Sequence, residues 1–178
     1  LLELYHKVAE IKGIRHAYIG SGIRYDLFLD ANGYVDGTSY PYLKELILEH
    51  TSGRLKVAPE HTEDNVLELM AKPSFRLFER LRHEFDRIVS ASGQHCGLVP
   101  YFISGHPGCG MKEMERLSRN PALKGLYMDQ VQDFTPTPMT TSSVMFYTGL
   151  DPKTMRKVFV ERDIERKRQQ KSFFFKGR

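Results

Sequence analysis

Five side chains with metal-binding or acid–base chemistry stand just after short apolar runs: Glu60, His61, His106, Cys109 and Asp133. Carboxylate, imidazole and thiolate are all zinc ligands, so together they could form the metal site of a barrel hydrolase. None of them has tight ligand spacing such as HxH or CxxC, and a histidine beside proline also serves as a turn residue bonded to backbone. A second chemistry uses an overlapping set. Ser21, Arg24, Glu60 and Gln132 offer a guanidinium, a carboxylate and neutral polar groups to a charged, hydroxylated cofactor. Glycine-opened backbone near residues 105–108 would then approach its ring.

The elements that must position these groups alternate. Residues 101–109 read YFISGHPGC, the end of an apolar run without period-two alternation, which suits a strand covered on both faces. Gly105, Pro107 and Gly108 force a turn, and Met111–Leu117 follows with helical spacing. In parallel α/β folds, loops at the carboxyl ends of strands form the ligand site. The same order recurs. Leu55–Ala58 leads into Pro59-Glu60-His61 and a helix start at Thr62-Glu63-Asp64. A strand near 15–20 leads to a helix over Pro41–Ser52, with Tyr42, Leu43, Leu46 and Ile47 on one face and Gly53 as its stop. Leu126–Gln132 leads into Asp133-Phe134-Thr135-Pro136. Pro73 splits the longest helical stretch into about 63–71 and Phe75–Ser90, where Phe75, Phe78, Leu81, Phe85, Ile88 and Val89 line one face. The expectation is four parallel strands in sequential order, near 15–20, 54–58, 98–103 and 126–132, with outer helices and right-handed crossovers.

A chain of 178 residues is long enough to bury a core. No apolar run is long enough to span a bilayer and no signal-peptide pattern is present, so no membrane partner is expected. Two cysteines, Cys96 and Cys109, form no disulfide framework and point to a reducing, cytoplasmic setting. The net charge is +4, and most of the excess follows residue 152. Lys153, Arg156, Lys157, Arg162, Arg166, Lys167, Arg168, Lys171, Lys176 and Arg178 stand there against Glu161, Asp163 and Glu165. This basic tail, over 151–178 and carrying Phe173-Phe174-Phe175, is expected to be helical, with nucleic acid or a partner subunit as a candidate ligand.

Six short stretches, forming four motifs, carry a resemblance. SGIRYD (21–26), LKVAPEH (55–61) with LMAKP (69–73), VPYFISGHPGC (99–109), and QVQDFTPTP (130–138) with VMFYTGLDP (144–152) resemble the YgiQ family of radical S-adenosylmethionine proteins, in order and spacing over nearly the whole chain. The resemblance implies a partial (βα) barrel that binds S-adenosylmethionine and a [4Fe–4S] cluster, the cluster cleaving the cofactor reductively. The family's CxxxCxxC cluster motif and its glycine-rich, acidic motif for the cofactor amino group are missing here. Cys96 and Cys109 lie thirteen positions apart, and two cysteines cannot supply three thiolates. With its abrupt start at Leu1 and no initiator methionine, the chain reads as an excised piece, residues 1–150 covering barrel strands three to six, inactive alone.

Carried over by position, Ser21 and Arg24 would lie near the cofactor's polar groups. Glu60 would reach the ribose and Lys72 the carboxylate. Ser104, Gly105 and Pro107 would pack on adenine, completed by Gln132 and Phe134. The resemblance assigns no metal ligand and no catalytic residue to the chain, and no role to His61, His106 or Cys109. The expected partners are the missing N-terminal half, a substrate of unspecified class, and a second copy of the fragment, since an exposed strand edge pairs readily. Two readings compete with it: a metal-dependent hydrolase on the same rim, and a non-catalytic module whose basic tail docks nucleic acid or a subunit.

Overall fold

Leu55 and Val57, Leu98 and Val99, Phe102 and Val131 are the buried side chains around which the strands form. The computed structural model describes residues 1–30 and 32–175, so Lys176 and Arg178 of the basic tail lie outside the described residues. Helix α1 spans Leu2–Ala9 and α2 Tyr40–Glu49, followed by strand β1 (Arg54–Glu60) and helices α3 (Asp64–Leu69) and α4 (Phe75–Ser92). Strand β2 (Gly97–Ser104), α5 (Met111–Ser118), β3 (Gln130–Asp133), α6 (Thr141–Thr148) and α7 (Ile164–Phe175) complete the order. The result is a mixed α/β chain with a small open sheet of three parallel strands in the order β1-β2-β3. In β2 and β3 the register pairs Phe102 with Val131 and Ser104 with Asp133.

The four-strand half-barrel is not formed, because residues 15–20 make no strand. That segment has little apolar surface to bury: His16 and Gly20 are exposed and Tyr18 keeps half its surface in solvent. Gly20 and Gly22 bracket its end and weaken extended pairing. What remains is a single parallel bridge between Ile23 and Val57, with the Ile23 N–H donating to the Lys56 carbonyl at 3.0 Å. The last strand is also shorter than its sequence suggests, starting at Gln130 instead of Leu126.

Contacts divide the chain into two compact units, residues 1–58 with 76–99, and residues 59–75 with the chain from 100 onward. In the first unit, Leu43, Leu46 and Ile47 of α2 and Phe78, Leu81, Phe85 and Ile88 of α4 are buried at the expected helical spacing. Tyr25 meets Phe78 edge-on with ring centroids 6.0 Å apart. Helix α2 stops at Glu49, earlier than the glycine predicts; Gly53, at φ +83°, shapes the turn into β1 instead. Just before α2, hydrogen bonds from the Ser39 and Thr38 side chains, and after them from the N–H groups of the same residues, hold the Asp36 carboxyl well below the usual carboxylate range.

The second unit packs Val66, Leu67 and Phe75 with Phe102, Met114, Leu117, Leu123, Val131 and Met145 as its core. Each such side chain contributes about 1.5–3 kcal/mol. Helix α7 lies on α5 and β3. The tail is helical only from Ile164; residues 151–163 are irregular, with one bridge from Leu150 to Lys157.

Candidate functional site

The last residues of β1, β2 and β3 are Glu60, Ser104 and Asp133, so the three carboxyl ends fall within the second unit. Glu60 leaves β1 with φ +67°, a left-handed conformation that is uncommon for a side chain of its size. The Lys72 ammonium lies 3.0 Å from the Glu60 carboxylate. Ser104 is fully buried, and its hydroxyl donates to Asp133 Oδ1 at 2.8 Å. The other Asp133 oxygen meets Lys171 of α7 at 3.1 Å. A cavity of about 350 Å³ opens beside these groups, lined by Glu60, Lys72, Gln132, Asp133, Phe134 and Ser142 among others. That volume is within the range of small-ligand sites.

Of the segment Gly105–Cys109, His106 lines the cavity. His106 is buried and accepts or donates at both nitrogens, with Nδ1 2.8 Å from the Pro107 carbonyl and Nε2 2.8 Å from Ser142 Oγ. A carbonyl can only accept, so Nδ1 carries the proton and Nε2 must accept from the Ser142 hydroxyl. Burial pushes the His106 imidazole down to about 4, which keeps it neutral at physiological pH. Its ring stands edge-on to Phe134 at 4.9 Å. Threonines 135, 137 and 140 edge the cavity, and Thr140 caps α6 by accepting from the Ser143 N–H.

The second histidine is committed elsewhere. His61 Nδ1 accepts from the Glu63 N–H at 3.0 Å, so its Nε2 carries hydrogen and faces Cys109 Sγ at 3.5 Å. Burial first, and the nearby His106 second, push His61 down to about 3. Burial pushes the Cys109 thiol up to about 12. The pair is therefore neutral, and the thiol is neither a nucleophile nor a ready metal ligand.

Of the residues marked by sequence, Glu60, Lys72, Gln132 and Phe134 come together around the one cavity. Ser104 stands behind it and holds Asp133. Gly105 and Pro107 are buried. The face that Gly105 opens at φ +67° is covered by the methylenes of Lys167, and its N–H donates to Gln170 Oε1 at 2.9 Å. The glycine turn thus receives the chain's own α7. Ser21 and Arg24 belong to the first unit, where Arg24 pairs with Asp26 at 2.5 Å. The zinc set does not assemble: among the described residues no three His, Cys, Asp or Glu side chains are placed to hold a metal ion. Ser142 and Gln170 escaped the sequence reading, and Lys171 entered it only as a tail cation, not as a partner of Asp133. Only the Thr140 cap ahead of an apolar run marks α6, and nothing local tells that α7 returns to the turn.

The comparisons with known proteins agree on a name without an activity. The chain is 45% identical over 177 residues to a UPF0313 protein of Bacteroides thetaiotaomicron, covering 98% of this chain and 28% of that protein. A UPF0313 protein of Methanosarcina mazei is 42% identical over 172 residues, 97% of this chain and 26% of that protein. One from Fusobacterium nucleatum is 43% identical over 171 residues, 96% of this chain and 29% of that protein. The chain thus spans about a quarter of the length of the curated relatives it matches. Residues 129–176 match a family described as a domain of unknown function, DUF3362. No solved structure matches the chain. No described helix is long and apolar enough to cross a membrane.

Proposed function

We propose that this chain forms the S-adenosylmethionine-binding wall of a radical S-adenosylmethionine enzyme whose [4Fe–4S] cluster is held by residues outside these 178. The observation that carries the reading is the convergence of Glu60, Lys72, Gln132 and Phe134, from three separate sequence motifs, on one cavity beside the carboxyl ends of parallel strands. That lining fits a zwitterionic, hydroxylated ligand with a flat ring. Glu60 and Asp133 offer acceptors to ammonium or hydroxyl groups, Lys72 offers a cation to a carboxylate, and Phe134 offers a ring face. Ligand binding would exchange the internal Glu60–Lys72 pair for bonds to the ligand, so that both charges stay satisfied. The Lys171–Asp133–Ser104 chain holds the Asp133 carboxylate in place.

The cluster does not fit this chain. Its only cysteines are Cys96, in the first unit, and Cys109, buried and neutral beside His61, and a cluster with one open iron needs three thiolates. Bound next to a reduced cluster, S-adenosylmethionine supplies radical chemistry. The residues here bind and orient it.

Ultraviolet crosslinking of radiolabelled S-adenosylmethionine to the full-length protein tests the placement. Label is expected in the peptide carrying Gln132 and Phe134. Label confined to peptides outside residues 59–75 and 100–142 would contradict it.

A further inference from the structure

Within the second unit, a groove of about 450 Å³ shares no lining residue with the cavity. Its aromatic floor is Phe159, which keeps 52% of its surface in solvent. The Phe159 carbonyl accepts from the Gly108 N–H at 2.7 Å, and its ring rests against Gly110, where a Cβ would stand 3.3 Å from it. An exposed phenylalanine held by its backbone and packed on a glycine is a fixed platform. Lys112 and Arg166 flank it.

The charges around this platform are sorted. Every acidic side chain of residues 151–175, and Glu113 in the groove, is turned to local work. Glu113 accepts the Gly110 N–H at 3.0 Å, and buried Glu161 accepts that of Asp163 at 3.0 Å. Asp163 takes the N–H groups of Glu165 and Arg166, Asp151 takes those of Lys153 and the Thr154 hydroxyl, and Glu165 pairs with Arg168. By contrast, Lys112, Lys153, Arg156, Lys157 and Arg166 are exposed and form no ion pair among the described residues. A solvated helix face would show its cations matched by acids at helical spacing. Here Glu113, Glu161 and Asp163 cap backbone N–H groups, and Lys112 and Arg166, exposed and without a salt bridge among the described residues, stand beside the Phe159 ring.

We infer that this groove is a single-stranded nucleic-acid site, a base stacking on Phe159 while Lys112 and Arg166 take the flanking phosphates. Unpaired bases stack on exposed aromatic rings and cations track the backbone, which is the general chemistry of such sites. An acidic protein would use the cations but leave the ring unexplained.

Fluorescence anisotropy of the full-length protein with a labelled oligouridylate, and with an oligothymidylate of equal length, is the test. Binding is expected to weaken with salt, and Lys112→Ala with Arg166→Ala should lower the salt slope by roughly 0.7 per cation removed. Phe159→Leu keeps apolar packing on Gly110 but removes the stacking face, and should weaken binding about tenfold with an unchanged slope. Preference between the two oligonucleotides tells RNA from DNA. Glu60→Gln should bind the oligonucleotide as the wild type does, which separates this inference from the cavity reading. No binding at low salt, Phe159→Leu indistinguishable from wild type, or polyglutamate displacing the oligonucleotide as well as unlabelled oligouridylate does would each overturn it.

Discussion

Two buried histidines, each neutral for the same reason, set the behaviour of the site residue by residue. His61 and His106 are held down to about 3 and about 4 by burial, against an ordinary imidazole value near 6.5. A group whose folded value is depressed contributes stability that is fully present above its unfolded value and is lost as pH falls towards the folded one. The protein should therefore be insensitive to these groups above about pH 7, and weaken between pH 6.5 and pH 4 by up to roughly 1.4 kcal/mol per pH unit for each histidine. Urea midpoints by circular dichroism across that range check this. His61→Gln should flatten the slope by about half, and an unchanged slope would mean the imidazole is not the group that titrates. None of this was legible in the motifs. PEH and GHPGC flag histidines at strand ends, but whether such a ring is a ligand, a base or a filler depends on which N–H and carbonyl groups surround it. For His61 the deciding partner is the Glu63 N–H, two residues away; for His106 it is the Pro107 carbonyl, with the second nitrogen taken by Ser142, thirty-six residues on.

At the scale of elements, α7 ties the glycine turn shut. Gln170 is fully buried, with Oε1 accepting from Gly105 and Nε2 3.5 Å from the Cys109 carbonyl. Replacing it with leucine leaves those backbone groups buried without partners, at about 1–3 kcal/mol. Gln170→Leu should thus raise the exchange rate of the Gly105 amide by about tenfold or more, measured by hydrogen exchange. Unchanged protection would show that α7 does not hold the turn. The strongest local patterns are legible in the sequence: the apolar stripe of α4, the covered run of β2, and the strand over 54–58, which runs on to Glu60. The segment near 15–20 was not. It has strand-forming residues but no buried face, and strand pairing depends on a partner that local sequence does not reveal. Docking of α7 on the turn was invisible for a related cause, since a mostly polar helix with one buried glutamine carries no apolar stripe to announce it.

For the whole molecule, the chain carries a cavity at strand ends and a separate groove floored by an aromatic ring, on a segment that is about a quarter of its curated relatives. Four of the nine residues singled out as cofactor contacts line that cavity; the others support its wall or lie in the first unit. Strand-end reasoning pointed to the cavity because parallel strands deliver their last residues to one edge, but it could not tell which of those residues line the cavity and which face the core. The central claim is that Glu60 and Lys72 hold S-adenosylmethionine while the cluster sits elsewhere. Calorimetric titration of the full-length, iron-loaded protein with S-adenosylmethionine tests it most directly. Glu60→Gln should weaken binding by roughly tenfold, the loss of one charge-assisted hydrogen bond, with iron content unchanged. Wild-type affinity in Glu60→Gln, or loss of iron from a protein that remains folded, would contradict it.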